Sequence, residues 1–256
     1  SSAGIIYLLM TILCAIAYGV AGMRIFDAVA HAMTTVATGG YSTFNTSFGA
    51  FTTARYEIIA IIFMFAGALP FTLLLKAARG NVRALITNAQ VRFFASAILT
   101  GIAVMSVYVY VTMPMGVFES LRRSAFSVVA IITTTGYYNA GYDSWGAFAI
   151  AFFFFLMVMG GCAGSTTCGI KIFRLQILFS VIRARLKKVI HPNAKIAAKY
   201  NGHPIPTGVP TDVISFLFLY ALSFAVLATL LSMTGLDFIS ALSGSISALS
   251  CIGPGL

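Results

Sequence analysis

The stretch VATGGYSTF, residues 36–44, joins the end of an apolar run to a polar loop through a pair of glycines. A second stretch, IITTTGYYNAGY at residues 131–142, places a Thr-Gly-Tyr step after another apolar run. In a third, SCIGPGL at residues 250–256, a proline takes the place of the tyrosine. Glycine has no Cβ and adopts backbone conformations that other residues avoid. These glycine steps therefore predict tight turns that bring backbone carbonyls toward a common axis.

The composition is that of a polytopic membrane protein. Hydrophobic residues make up 59% of the 256 residues and charged residues only 9%, against roughly 25% charged residues in an average soluble domain. A helix that crosses a bilayer needs about 20 apolar residues. Such runs lie at residues 5–21, 56–75, 93–112, 148–159 (a short one) and 213–233. We therefore predict an all-α fold built from membrane-spanning helices.

The charged residues indicate the orientation of the chain. Of the 16 Lys and Arg residues, four lie at residues 76–92 and eight at residues 171–199, which the positive-inside rule places in the cytoplasm. The acidic residues of the glycine-step segments then lie outside; they are Asp27, Glu119, Asp143 and Asp237. The net charge of +10 is thus a signal of topology, and we do not expect nucleic-acid binding.

The same order of elements recurs along the chain: a span, a short helix, a glycine step, a polar loop and another span. Residues 1–75 hold one full pass, residues 93–188 hold a second, and residues 211–256 hold the first half of a third. Residues 76–92 are predicted to form a basic cytoplasmic loop, and residues 189–210 a cytoplasmic linker. The recurrence predicts tandem repeats around a central ion pore.

The short helices of about 12 residues cannot cross a bilayer. Non-helical backbone at membrane depth is tolerated only where it is buried in protein or lines a watery cavity. Each short helix also directs its C-terminal end, with about half a negative charge, at the glycine step, which favours a cation there. Rings of backbone carbonyls that replace a hydration shell form potassium filters. The alternative is that these Gly and Thr residues only allow close helix packing.

The run GGCAGSTTCGIK, residues 160–171, interrupts the last span of the second pass. A helix broken at this depth is either a substrate site or a gate, and its place after the second glycine step puts it on the cytoplasmic side. Lys171 and Arg174 follow the break. They reach water in an inner vestibule, where they oppose cations, or they anchor the chain by the positive-inside rule.

Three smaller expectations concern single side chains. Glu57 is expected to form a local ion pair with Arg55 at the start of a span. His31 is expected to be a hydrogen-bonded packing residue rather than a proton carrier. Asp27 and Asp237 are expected to cap the N-termini of their short helices.

Taken together, five runs resemble the Trk/Ktr/HKT superfamily of potassium transporters, and most closely its bacterial TrkH branch. The runs are FDAVAHAMTTVATGGYST (26–43), TTTGYYNAGYDSW (133–145), GGCAGSTTCGIKIFR (160–174), KKVIHPNA (187–194) and IGPGL (252–256). The resemblance implies four helix–pore-helix–helix repeats around one pore, with one filter glycine per repeat. This chain matches repeat 2, repeat 3 and the first half of repeat 4, so by this resemblance it is a fragment that cannot close the pore alone.

The resemblance also implies roles for individual residues. The filter residues are Thr38, Gly39, Gly40, Thr134, Thr135, Gly136, Cys251, Ile252 and Gly253. The gating loop comprises Gly160, Gly161, Gly164, Ser165, Thr166, Thr167, Gly169 and Lys171. The filter glycines are Gly40, Gly136 and Gly253, with Gly39 as an alternative in the first repeat. Cys168 stands where the family pattern favours glycine.

The expected function is that of a pore-forming subunit for potassium uptake, not an enzyme. Dehydrated K⁺ is the transported ion, bound by backbone carbonyls, and no covalent cofactor is expected. The resemblance implies a homodimer in the inner (plasma) membrane, surrounded by lipid, with a cytosolic nucleotide-binding regulatory subunit resembling TrkA. The alternative is a broken-helix secondary transporter for a small solute coupled to cations.

Overall fold

The computed structural model describes residues 2–51, 53–139, 141–194 and 196–255. Residue 1, Ala140 and Leu256, which belong to segments predicted above, lie outside these ranges. Within the described ranges the helices are α1 (Ser2–Val20), α2 (Ile25–Val36), α3 (Ala54–Gly67), α4 (Phe71–Ala78), α5 (Val82–Ile86), α6 (Ala89–Thr112), α7 (Val117–Ile132), α8 (Ala147–Val158), α9 (Ile172–Ile190), α10 (Gly208–Ser232) and α11 (Phe238–Ser250). A two-residue antiparallel hairpin pairs β1 (Lys199–Tyr200) with β2 (His203–Pro204). The predicted all-α class is confirmed.

In the described part of the chain, three unbroken helices are long and apolar enough to cross a membrane: α1, α6 and α10. The protein itself buries only 17%, 28% and 11% of their most apolar windows. The rest of their apolar surface is suited to contact with lipid, because lipid tails are as apolar as leucine.

The span predicted at residues 56–75 is not one continuous helix. The structure bends this segment by 105° between α3 and α4. Pro70 precedes α4, and the residue before a proline avoids helical geometry while the ring removes a backbone donor. The bend leaves the last carbonyls of α3 without helical partners, so they are free to accept hydrogen bonds from elsewhere.

The short helix α7 forms the centre of the core. Its second half, from Phe126 to Ile132, is buried at every residue. The helices α3, α6 and α8 pack against it. Because α7 ends at the second glycine step, the most buried part of the fold is also the part that positions that step.

The segment predicted as a cytoplasmic linker is shorter than residues 189–210. Helix α9 ends at Ile190, before His191-Pro192. Helix α10 begins at Gly208 and includes Pro210 in its first turn, where a missing backbone donor costs nothing.

Candidate ion pathway

The short helices α2, α7 and α11 end in the same backbone turn. Just past each helix one residue takes a left-handed conformation: Thr38 with φ 52°, Thr134 with φ 54° and Cys251 with φ 53°. Residues other than glycine rarely adopt this conformation, and for β-branched threonine it is an outlier. Such strain costs about 1–3 kcal/mol per residue and is concentrated at functional sites.

One hydrogen bond closes each of these turns. The backbone N–H groups of Gly39, Thr135 and Ile252 each donate to a carbonyl five residues earlier, at 2.8, 2.9 and 3.0 Å. This bond characterises a helix that ends with a left-handed residue. The next residue is a glycine with positive φ in every case: Gly40 at 68°, Gly136 at 74° and Gly253 at 106°. Three different sequences thus adopt one local geometry.

The three turns lie side by side in chain order. A Cβ placed on Gly40 would overlap the carbonyl oxygen of Thr135, and one placed on Gly136 would overlap the carbonyl oxygen of Ile252. Around Gly253, no atom of the described residues outside its chain neighbours lies within 4 Å of that position. Glycine is therefore required at Gly40 and Gly136 both by the backbone conformation and by the close approach of the next turn.

All three glycine steps line one cavity of about 560 Å³. Its lining residues are Gly39, Gly40, Tyr41, Ser47, Gly136, Gly244, Ser247, Ala248, Cys251, Ile252, Gly253 and Pro254. The structure therefore brings predicted filter residues from all three steps together. Thr134 and Thr135 are buried behind this surface.

The acidic residues at the helix starts differ from expectation in one case. Asp237 caps α11 by accepting a hydrogen bond from the backbone N–H of Ser240 at 3.2 Å. Hydrogen bonds from the Ser240 side chain and backbone lower the pKa of Asp237. Asp27 is not a cap: it lies in the first turn of α2, after Arg24 at the N-cap position. Its carboxylate accepts instead from the Thr43 hydroxyl at 2.8 Å.

The interrupted loop, residues 160–171, lies against the ends of the first two short helices. The Thr166 hydroxyl is 3.2 Å from the carbonyl oxygen of Val36 and accepts from the Thr38 hydroxyl at 3.2 Å. The backbone N–H of Cys168 donates to the Thr134 hydroxyl at 2.9 Å. The loop therefore touches both left-handed threonines directly.

The same loop also docks on the bend between α3 and α4. The N–H of Cys162 donates to the carbonyl of Ala68 at 3.0 Å, and the N–H of Phe71 donates to that of Gly164 at 3.0 Å. Gly67 accepts from Thr166 through both the amide and the hydroxyl, at 3.3 and 3.1 Å. The orphan carbonyls created by the bend are thus satisfied by the loop.

Close backbone approaches explain two of the loop glycines. A Cβ on Gly160 would overlap the carbonyl oxygen of Cys168, and one on Gly161 would lie 2.9 Å from that of Ala68. The loop is closed at its neck, where the N–H of Gly160 donates to Ile170 at 3.0 Å. Gly164 and Gly169 have positive φ, at 77° and 68°.

The Lys171 side chain folds back onto the loop. Its ammonium group donates to the Thr167 carbonyl, to the Thr167 hydroxyl at 3.0 Å and to the Ser165 hydroxyl at 3.4 Å. Sequence reasoning offered a vestibule charge or an anchor, and it missed this contact. Arg174 lies over the Phe216 ring at 3.9 Å and so joins α9 to α10.

A buried hydroxyl cluster behind the second step was also missed. The Tyr137 hydroxyl lies 2.6 Å from that of Thr34 and 2.9 Å from that of Thr35, and it donates to the His31 carbonyl at 3.1 Å. Tyr18 extends the cluster to α1, with its hydroxyl 3.0 Å from that of Thr35. The hydroxyl residues near the C-terminus of α2 were the available signal.

The expectation for His31 is confirmed. The side chain is buried, with Nδ1 2.7 Å from the Asp27 carbonyl oxygen and Nε2 2.9 Å from the Ser42 hydroxyl. A carbonyl can only accept, so Nδ1 carries the proton and Nε2 accepts from Ser42. The ring therefore joins α2 to the loop after its glycine step.

The expected ion pair between Glu57 and Arg55 is wrong. Glu57 accepts instead from Arg122 of α7 at 3.0 Å. Its second carboxylate oxygen accepts from the Asn139 side chain at 3.1 Å. Residues 65 and 82 positions away supply these contacts, a separation that local sequence patterns do not report.

The apolar helices and the shared cavity define a helical integral membrane protein.

A family model described as "TrkH: Cation transport protein" matches residues 3–256. The Trk system potassium uptake protein TrkI of Halomonas elongata is 40% identical over 252 residues, which cover 98% of this chain and 51% of that protein. TrkH of Vibrio parahaemolyticus is 34% identical. The match covers 98% of this chain and 53% of that protein.

The crystal structure of the potassium transporter TrkH from Vibrio parahaemolyticus has the same fold. Its TM-score is 0.93 at 32% identity, over 98% of this chain and 55% of that one. The chain therefore belongs to the TrkH family of cation transport proteins. It spans about half the length of the relatives it matches. Both of these relatives are named as Trk system potassium uptake proteins.

Proposed function

We propose that this chain is part of the pore-forming subunit of a potassium uptake system. The observation that carries the proposal is the threefold recurrence of one strained turn, with each glycine step next to the following one and all lining one cavity. Relatives at 40% and 34% identity are named Trk system potassium uptake proteins.

In the proposed mechanism K⁺ loses its water and passes the backbone carbonyls of residues 38–40, 134–136 and 251–253. Carbonyl oxygens replace the hydration shell, as in other potassium filters. The C-terminal ends of α2, α7 and α11 add partial negative charge beside the ion. No covalent chemistry takes place, and the protein needs no covalent cofactor. The fourth filter segment is supplied by a part of the full-length protein beyond these residues.

The interrupted loop is the proposed gate. Its hydrogen bonds with Thr38 and Thr134 support this role, because they join the loop to two of the proposed filter turns. Lys171 stabilises the loop by binding Ser165 and Thr167. Movement of the loop would require these bonds to break, which is feasible within the few kcal/mol of a conformational equilibrium.

We further propose that the full-length protein is a homodimer in the inner membrane that binds a cytosolic nucleotide-binding subunit resembling TrkA. The end of α9 exposes four basic side chains that suit an anionic lipid surface or a regulatory partner. They are Arg183, Arg185, Lys187 and Lys188. Relatives are named as members of a Trk system.

Complementation tests the function directly. The full-length gene is expressed in a bacterial strain that lacks potassium uptake, and growth is followed as K⁺ or Na⁺ is varied. We expect rescue at low K⁺. Absence of rescue, with the protein present in the membrane, would contradict the proposal. Saturable cation-coupled uptake of an organic solute would instead favour the broken-helix transporter.

A further inference from the structure

We propose that Glu57 is a positioning residue for ion selectivity: its carboxylate holds both sides of the second glycine step in place. The inference rests on the proposed function, since it concerns how that step discriminates between ions. Glu57 lies in the first turn of α3, outside the repeat that contains the step.

The carboxylate binds one group on each side of the step. One oxygen accepts from the Arg122 guanidinium at 3.0 Å, near the start of α7. The other accepts from the Asn139 side chain at 3.1 Å, three residues beyond Gly136. Glu57 thus links the helix before the second glycine step to the irregular segment after it.

Because the Glu57 carboxylate is buried, it depends strongly on its partners. The side chains of Glu57 and Arg122 are 5% and 23% exposed. A buried carboxylate that loses a partner leaves an uncompensated charge, which is strongly destabilising. The neighbouring pair Arg123–Glu119, at 2.5 Å, has side chains 32% and 43% exposed. Exposed pairs of this kind contribute about 0–1 kcal/mol to stability. The ion pairs of the two adjacent arginines on α7 therefore differ strongly in how much the structure depends on them.

The strand after Gly136 is bound to the first pass at three consecutive residues. The Tyr137 hydroxyl joins the cluster on α2. The backbone of Tyr138 accepts from Gly49 at 3.1 Å and donates to the Ser47 hydroxyl at 3.3 Å. Asn139 binds Glu57 and is the last of the three anchors. Loss of the bond between Asn139 and Glu57 would leave the segment after Gly136 without its anchor at the end farther from α2.

Discrimination between K⁺ and Na⁺ depends on the positions and field strength of the coordinating carbonyls. Small displacements of the second step therefore change selectivity before they abolish the pathway. This distinguishes positioning from a purely structural role, which would alter protein amount and leave the ion preference unchanged.

The test uses the full-length protein in proteoliposomes and measures K⁺ and Na⁺ flux over a range of concentrations. Glu57→Gln and Arg122→Gln remove the buried pair; Glu119→Gln and Arg123→Gln are the matched controls. We expect the first two to lower K⁺/Na⁺ discrimination about tenfold and to raise the KM for K⁺ more than they lower the maximal rate. The controls should stay within about twofold of the wild type.

Asn139→Ala is the second variant: it keeps the ion pair and removes the side-chain bonds of the outgoing segment to Glu57, at 3.1 Å, and to Ser127 of α7, at 3.5 Å. It should reproduce the loss of discrimination even if Glu57→Gln fails to assemble. Wild-type selectivity and KM in Asn139→Ala and in every Glu57 or Arg122 variant that reaches the membrane would overturn the inference. If the wild-type protein itself carries no K⁺, the proposed function fails instead.

Discussion

The glycine steps and the interrupted loop are both irregular backbone at the centre of the fold, but they are held in different ways. Each step is closed by a hydrogen bond to its own short helix, five residues back. The loop is instead bound to α2, to the bend after α3, and through Ala163 to Gln90 of α6 at 2.9 Å. A hydrogen bond within one helix and its step can persist when the helices move relative to one another. A hydrogen bond between the loop and another element can instead be replaced by a different partner.

Burial follows the same division. Residues 133–137 are buried without exception. In the loop only residues 160–162, 167 and 170 are buried, and at its tip Gly164 is exposed and Ser165 and Thr166 are half-buried. Segments with few buried contacts open at lower free-energy cost than the core. On the proposed function, the glycine steps are the fixed element and the tip of the loop is the movable one, and each prediction below alters one of the two.

The largest effect is expected from Gly136→Ala. The new methyl group would overlap the Ile252 carbonyl, and the backbone there has φ 74°. We expect rubidium flux to fall to background in the full-length protein. Gly19→Ala is the control, because among the described residues no atom outside its own helix backbone and chain neighbours lies within 4 Å of its Cβ position. Undiminished flux in Gly136→Ala would show that the second step is not the conduit.

Shortening the loop by deletion of residues 163–167 should give a leaky pore. The deletion removes the contacts of Thr166 with Val36, Gly67 and Thr38. We expect basal rubidium flux to rise several-fold without a regulatory partner. Thr166→Val is a milder test of the same bonds, and Thr112→Val, whose hydroxyl bonds within its own helix, is its control. Unchanged flux and regulation in both loop variants would remove the loop as the gate.

An intermediate effect is expected from oxidation. The Cys168 side chain of the loop lies near enough to the Cys251 side chain of the third step for the two to interact electrostatically. Copper–phenanthroline should form a disulfide between them and reduce flux until dithiothreitol is added. Cys168→Ser should be insensitive, whereas Cys14→Ser, at a buried site on α1, should respond like the wild type. Sensitivity that persists in Cys168→Ser would show that the loop does not contact the third step.

The smallest effect on flux is expected from Tyr137→Phe. The change removes one hydroxyl from a buried cluster and leaves its partners less satisfied, at a cost of about 1–3 kcal/mol. The thermal unfolding midpoint should fall, with a modest loss of flux. Tyr110→Phe, on an exposed part of α6, should leave the midpoint unchanged. An unchanged midpoint in Tyr137→Phe would mean that the cluster does not support the step.

The sequence predicted the features that local chemistry determines. Each short helix ends just before its glycine step, as predicted, because Gly40, Gly136 and Gly253 mark the turns that follow them. The break at residues 160–171 was visible from its glycines. Pro70 was a local signal as well, but a proline inside an apolar run is also compatible with a continuous span, so the 105° bend was missed.

What depends on distant residues could not be predicted. The partner of Glu57 is 65 residues away on another helix, and the nearer Arg55 was the wrong choice. The Tyr137 cluster joins residues more than 100 positions apart. The Glu57 pairing follows from the packing of α3 and α7 against each other, which no periodicity within either helix specifies.

Anomalous diffraction from crystals of the full-length protein soaked in thallium or rubidium would test the central claim most directly. An ion bound by the glycine steps should give density inside the cavity between Gly40, Gly136 and Gly253, and Gly136→Ala should abolish it. Density at other sites alone, in a protein that still carries rubidium, would contradict the assignment of these turns as the ion pathway.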